Sequence, residues 1–480
     1  MYSKFGQFID GKWQASENKE TYDVLNPATE EIIGQASKAS PADVDKALKS
    51  AEKGFEIWKK IKPWERSKII RKIADEIRRK SKVFAKWMTL ETGKTLAEGE
   101  AEASAAADIF EWNAEETKRI YGQSLQSRFD NTKIQIIYQP VGVVAALTPW
   151  NFPLVLAARK VSAALAAGCS VICKPDVITP GTVMEMVDTI KECGIYPGTV
   201  NLLSGDPASI TTQLLSSDII KKVSITGSTR VGKIILKQAA EKVQRVTMEL
   251  SGHAPFIVFG DANIDKATEV AMASKYRNNG QVCISPSRFY IHESKKEEFA
   301  KSFVEKTKKL TIGNGLDKNV QLGPLTTKKR LEEVEQLVEE TKNEGAKVLC
   351  GGKRPAGFNK GYFYEPTIFD NIKDNFKIMK IEPFGPLSPI TTFKSFEEVI
   401  ERANNHSAGL AGYVCTNSMN LANKTSESLE TGMVAINTPF LSSAETPFGG
   451  IKQSGYGREG GSVGIKDYLN IKYTHISYLG

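Results

Sequence analysis

Cys283 closes the segment NNGQVC (278–283), and a cysteine thiolate is a strong nucleophile wherever its surroundings allow it to form. Alone, a cysteine after a glycine-containing turn is most often a small apolar filler of a core. Four other segments change that reading. TPWNFP (148–153) follows VGVVAAL (141–147) and delivers Asn151; KP (174–175) closes CSVICKP (169–175) and delivers Lys174. TGSTRVG (226–232) follows KKVSIT and delivers Gly227 and Ser228, while MELSGH (248–253) closes RVTMEL and delivers the carboxylate Glu249. Each of these is ordinary as a turn residue. Together, at the ends of successive strands, they would face one rim.

The elements that must hold them are legible as an alternation. VGVVAAL (141–147), CSVICKP (169–175), TVNLLSG (199–205), KKVSITG (221–227) and RVTMEL (245–250) have the short apolar, β-branched character of buried strands. Between them, residues 154–168, 181–193, 209–217 and 230–241 have helical patterns, the first ended by Gly168. Repeated βαβα of this kind predicts an α/β fold with a parallel doubly wound sheet, whose ligands sit outside the strands' carboxyl ends. A second alternation begins at PFIVF (255–259): a helix from Ile264 toward Asn279, a strand at 288–292, and helices at 294–309 and 328–344. The boundary between the two is therefore expected near 251–254. TKIQIIYQP (132–140) and YLNIKYTHISYL (468–479) alternate like strands of an exposed ribbon, and strands outside any domain usually pair with another subunit.

Composition narrows the function. The chain has 480 residues, too many for one compact core, with 41% hydrophobic and 25% charged residues, which is the globular range. The net charge of +8 is spread along the sequence. Its densest stretch, Arg71 to Lys82, is interleaved with Ile69, Ile70, Ile73, Ile77 and Phe84 at helical spacing and reads as the solvated face of an amphipathic helix, so no nucleic-acid partner is expected. No apolar run reaches the roughly 20 residues of a membrane span, and the N-terminus lacks a secretory core, so a cytoplasmic protein without a membrane partner is the default expectation. Six cysteines without a CxxC pair and four isolated histidines argue against a disulfide framework and against a metal site. Cys169 and Cys173 read as buried fillers.

In order and spacing, the segments FIDGKW (8–13), NPATEE (26–31), TPWNFP, the KP strand, TGSTRVG, MELSG, NNGQVC, PFGP (383–386) and PFGGIKQSGYGREGG (447–461) resemble the motif set of the aldehyde dehydrogenase superfamily. The resemblance runs nearly end to end and is nearest to succinate-semialdehyde dehydrogenase-like members. It implies a Rossmann-type cofactor domain (1–119 and 141–251), a second α/β catalytic domain (252–440) and oligomerisation segments (120–140 and 441–480), in a homo-oligomer built as a dimer of dimers. It implies that Cys283 attacks the aldehyde to give a thiohemiacetal oxyanion. Asn151, with the Cys283 backbone N–H, matches the oxyanion hole, where each donor is worth roughly 3–4 kcal/mol. Glu249 matches the general base for thioester hydrolysis, a contribution of about 10²–10⁴-fold.

For the nicotinamide cofactor, the resemblance places phosphates at the helix-opening turn held by Gly227, Ser228 and Gly232. Trp150 lies beside the cofactor, Lys174 reaches the adenosine ribose, and Glu382 with Phe384 flanks the nicotinamide ribose and ring. One position departs. NAD-preferring members often carry a glutamate three residues after the lysine, and here that residue is Val177. Without that carboxylate a 2′-phosphate is not repelled, so NADP is the expected cofactor and NAD the alternative; Asp176, one residue away, could restore the charge. The turn SGDP (204–207) also lacks the glycine-rich form common in NAD-specific members.

Arg159, Arg277 and Ser442 match positions with which succinate-semialdehyde dehydrogenases bind the distal carboxylate of their substrate, a task suited to arginine's planar fork. The bland alternative for Arg159 is an ion pair on a helix that also carries Lys160. Glyceraldehyde or another short hydroxy-aldehyde is the competing substrate. A coenzyme-A-acylating relative would lack Glu249, and a catalytically idle protein would have lost one of Cys283, Asn151 and Glu249. A second cysteine two residues on, found in some semialdehyde members, is replaced by Ser285, so no neighbouring disulfide is expected to switch the thiol.

Overall fold

The computed structural model describes residues 2–478. Five parallel strands, β1 (Val143–Leu147), β2 (Ser170–Lys174), β3 (Val200–Leu202), β4 (Ile220–Thr226) and β5 (Arg245–Glu249), form the centre of an eight-stranded sheet. Their order, β3-β2-β1-β4-β5, reverses between β1 and β4. Such a reversal splays the following connections apart and opens a crevice at the strands' carboxyl ends. β1 and β2 are buried at every position, which is why they read as unbroken apolar runs. The hairpin Gln7–Ile9/Lys12–Gln14 extends the β3 edge antiparallel, and Gly455–Tyr456 covers the β5 edge.

The chain then passes into a second, seven-stranded sheet: β6 (Ala254–Val258), β7 (Pro286–His292), β8 (Lys347–Cys350), β9 (Thr367–Asp370), β10 (Leu387–Phe393), β11 (Ala411–Cys415) and β12 (Met433–Ile436). Its order is β8-β9-β10-β7-β6-β11-β12, parallel except for the β8 edge. The strand expected at 199–205 is shorter, because Ser204 and Gly205 turn back to the N-terminal segment, with Ala39 N–H donating to the Ser204 carbonyl. The basic stretch near residue 71 is helical, but in two pieces, Pro63–Arg79 and Ser81–Thr92; Ile70, Ile73, Ile77 and Phe84 are fully buried.

Residues 441–480, expected as an oligomerisation segment, divide among several surroundings within the chain. Only Leu469–Ser477 pairs with Thr132–Pro140, over nine residues in register, and Gln123–Gln126 pairs on the other side to complete a three-stranded sheet. Residues 451–452 and 455–456 instead bridge to Ala408–Gly409 and to β5, while Ile465 and Tyr468 join the core of the first sheet. The assignments to Met1, Leu479 and Gly480 lie outside the described residues. No helix among the described residues is long and apolar enough to cross a membrane.

Candidate active site

The switch point between β1 and β4 opens into a cavity of about 490 Å³, lined on one wall by Trp150 and Asn151 from the end of β1, and by Thr226, Gly227 and Ser228 from the end of β4. Glu249 from the end of β5, Cys283, Glu382 and Phe384 complete it. Ser228 is the N-cap of helix Thr229–Ala240, its hydroxyl accepting from the Val231 N–H, so the positive end of that helix faces the cavity. A Cβ built on Gly227 would meet nothing within 4 Å, leaving open space directly against the backbone. Gly232 has another job: a Cβ there would lie 2.6 Å from Leu250, so glycine lets the helix pack close to the strand end.

A second cavity of about 170 Å³ lies on the other side of Cys283. Asn151 and Cys283 line both. The smaller cavity also collects Arg159, Arg277 and Ser442, three residues separated by up to 283 positions in sequence. Arg159 is 2% exposed, donates from Nη2 to the Ser442 hydroxyl at 2.8 Å, and stacks 4.8 Å over the Phe448 ring. Its Nη1 has no partner. The ion pair on this helix belongs to Lys160, which donates to Glu459 at 2.6 Å and to Thr226 at 2.6 Å. Burial lowers the Arg159 pKa against the opposing charges of Glu459 and Glu249. Arg277 stands 5.1 Å over the Phe152 ring.

Cys283 follows a strained turn. The helix expected to reach Asn279 ends at Lys275, since Asn278 and Asn279 both adopt left-handed backbone (φ +47° and +55°), a conformation asparagine tolerates better than most residues. Burial and the facing Glu249 carboxyl push the thiol pKa well above its ordinary value. Glu249 is 2% exposed, neither carboxylate oxygen meets a hydrogen-bond partner, and burial raises its pKa to about 7. A neutral-range carboxylate beside a reluctant thiol is suited to accept a proton at physiological pH. Glu382 is raised to about 8, chiefly by burial, with the Gly252 N–H against one oxygen. Trp150 and Phe384 make an edge-to-face pair at 5.5 Å, with Phe384 in left-handed backbone (φ +43°).

Lys174, Asp176 and Val177 stand at the end of β2, outside the walls of this cavity. Burial lowers the Lys174 pKa against the opposing charges of Asp176 and Asp206. The Asp176 carboxylate accepts from the Ile178 N–H at 3.0 Å, so it is folded onto its own turn, and burial raises its pKa. Sequence reasoning missed Lys94, Glu102 and Asn278, which surround Asn151. Glu102 carried a signal: it falls on the buried face of an alanine-rich helix with Gly99, Ala103, Ala106 and Phe110, where a charge is out of place. Among the described residues, no group of three or more His, Cys, Asp or Glu is arranged to hold a metal ion.

A cysteine and an amide are thus shared by two cavities, with a carboxyl group raised to about 7 on one side. Residues 13–474 match the aldehyde dehydrogenase family, and the chain belongs to it. It is 41% identical over 470 residues to the glutarate-semialdehyde dehydrogenase of Pseudomonas putida, covering 98% of this chain and 97% of that one. It is 40% identical over 468 residues to the NADP(+) succinate-semialdehyde dehydrogenase of Escherichia coli, covering 98% and 97%. Among solved structures, the succinate-semialdehyde dehydrogenase of Burkholderia pseudomallei superimposes with a TM-score of 0.97 at 40% identity, covering 99% and 98%.

Proposed function

We propose that the chain oxidises a short aldehyde bearing a distal carboxylate, such as succinate semialdehyde, to the dicarboxylate, with NADP preferred and NAD the alternative. The observation that carries this reading is the pair of cavities meeting at Cys283 and Asn151, one holding the base and the other the arginines. The unpartnered Arg159 Nη1 and the Ser442 hydroxyl offer donors to an anion at the end of the smaller cavity. A guanidinium–carboxylate pair there contributes about 1.5–3 kcal/mol. A neutral alkanal would leave a buried guanidinium unmatched, which is costly.

In the mechanism, the Cys283 thiol gives its proton to water, and its sulfur bonds to the aldehyde carbon. The carbonyl electron pair moves onto oxygen, which Asn151 Nδ2 and the Cys283 N–H stabilise. As the oxygen pair re-forms the carbonyl of a thioester, the hydride leaves the carbon, and a nicotinamide cofactor, when bound, would supply its acceptor. Glu249 then takes a proton from water as it attacks the thioester and passes it to the departing sulfur, so the acid leaves with both Cys283 and Glu249 restored. The residues fit such a cofactor: the free space at Gly227, the helix N-terminus at Ser228, the Trp150–Phe384 wall and the buried Glu382 carboxyl provide a place for phosphates, ring and ribose. Val177 offers no carboxylate to repel a 2′-phosphate, and Asp176 is tied to its own turn, which supports NADP.

Residues 1–119 and 141–251 serve as the cofactor half, 252–440 as the catalytic half, and the ribbon as the contact with a second copy in a dimer of dimers. Leu125, Ile137, Ile471 and Tyr473 are exposed apolar side chains on that ribbon. The direct test is reduced-nicotinamide absorbance with succinate semialdehyde, glyceraldehyde and a neutral alkanal, each with NADP and NAD. The reading expects the semialdehyde with NADP to have the highest kcat/KM. Equal use of all three aldehydes would remove the distal-carboxylate assignment.

A further inference from the structure

Two buried charges outside the reacting groups grip the turn that carries Asn151. Lys94 follows helix Ser81–Thr92 and Glu102 lies in helix Leu96–Glu116; their side chains are 0% exposed and paired to each other. The Lys94 ammonium donates to the Asn151 carbonyl at 2.8 Å and stands 4.1 Å over the Phe152 ring. The other Glu102 oxygen accepts from the Leu154 and Val155 N–H groups at 3.0 and 3.2 Å. Those amides open helix Pro153–Ala167 and have no partner within it, and the N-cap Phe152 supplies no side-chain bond. The pair thus holds residues 151–155 from both ends, cation on carbonyl and anion on amides.

The consequence falls on the Asn151 side chain. Its Nδ2 has two N–H groups; one donates to the Gln281 carbonyl at 3.1 Å, leaving the other for a ligand at Cys283. A buried ion pair is weak evidence for stability, since desolvation offsets most of its attraction. Here each charge is committed to backbone whose placement aims a catalytic amide. We propose that Lys94 and Glu102 are positioning residues that hold the Asn151 carboxamide where the oxyanion forms. This rests on the reading of Asn151 as the oxyanion donor.

The test is a double-mutant cycle on the first-turnover burst of reduced NADP with succinate semialdehyde. Asn151→Ala should slow the burst by about 10²–10³-fold, the cost of losing one oxyanion donor. Lys94→Met should slow it by about 10- to 100-fold, less than loss of the donor itself. In the Asn151→Ala background, Lys94→Met should add no more than about twofold, because both changes act on one interaction. Alkylation of Cys283 by iodoacetamide and the Kd for NADP should stay within about twofold of wild type, which a general loss of structure would not permit. Glu102→Gln, which keeps an acceptor for the helix amides, should give a smaller loss with the same non-additivity, and carries the test if Lys94→Met does not fold. An undiminished burst in Asn151→Ala would overturn the reading of the site itself. A normal burst in Lys94→Met and Glu102→Gln, or an equal loss in both backgrounds, would overturn the positioning role alone.

Discussion

The two cavities that meet at Cys283 differ in the carboxyl groups they offer. The larger one holds two carboxyls with raised pKa values, Glu249 at about 7 and Glu382 at about 8, with Arg230 and Arg330 also on its walls. The smaller one holds Arg159 and Arg277, while its own carboxylates are already committed: Glu98 accepts from the Thr95 and Asn278 N–H groups, and Glu102 is engaged by Lys94. Arg159 and Arg277 therefore lie on one side of the thiol and the carboxyls able to accept a proton on the other. On the proposed reading, an anionic aldehyde is drawn to Arg159 and Arg277, and its reactive end is left against the base. Burial and the facing Glu249 hold the thiol protonated at rest, and on the proposed reading Glu249 acts in the hydrolytic step that follows.

The largest break of this comparison is at the shared wall. Cys283→Ala should abolish dehydrogenase turnover, measured as steady-state reduction of NADP; surviving activity would mean that the thiol is not the nucleophile. Glu249→Gln removes the base from the larger cavity only. Deacylation should slow by about 10²–10⁴-fold while a burst of reduced cofactor remains, and a lost burst would assign Glu249 to thiol activation alone. On the opposite side, Arg159→Leu should lower kcat/KM for succinate semialdehyde by about 10- to 100-fold, the rate equivalent of one charge-assisted bond, and leave a neutral alkanal unharmed. An equal loss for both aldehydes would make Arg159 a packing residue. Smallest in effect, Val177→Glu should move the ratio of kcat/KM values toward NAD by about tenfold, the scale of one charge contact at 1.4 kcal/mol.

pH sharpens the same contrast. Activity should rise through about pH 7 as Glu249 ionises, and that limb should vanish in Glu249→Gln. Stability should move the other way. Glu249 and the fully buried Glu91, which accepts from Tyr2, Gly181 and Thr182, are each raised to about 7 from 4.5 by burial. The native state therefore holds protons that the unfolded chain has lost between about pH 4.5 and 7, so stability falls as pH rises through that window. Chemical denaturation at pH 5 and pH 7.5 checks the sign, with Glu91→Gln reducing the difference.

How far the sequence carried this account depended on the range of the forces involved. β1 and β2 were legible because a parallel sheet covered on both faces leaves short buried runs, β4 and β5 from their β-branched residues, and the strand ends carried Asn151, Gly227 and Glu249 to one rim. The distal edge of the site came through resemblance, since nothing local in Arg159, Arg277 or Ser442 marks them as neighbours. Lys94 and Glu102 stayed hidden because the bond from Lys94 to the Asn151 carbonyl spans 57 residues and reads locally as helix-end polarity. Gln123–Gln126 was missed as a strand because all four residues are exposed, leaving no alternation to see. The end of the helix before Cys283 was misplaced for a backbone reason, two successive left-handed asparagines that no periodicity announces.

The central claim is that Cys283 carries the substrate as a thioester between the two cavities. Mass analysis of Glu249→Gln, quenched after mixing with succinate semialdehyde and NADP, tests it most directly. One succinyl group is expected on the peptide containing Cys283, formed in step with the reduced-cofactor burst and absent without NADP. Reduced cofactor without that adduct, or an adduct on another residue, would contradict it.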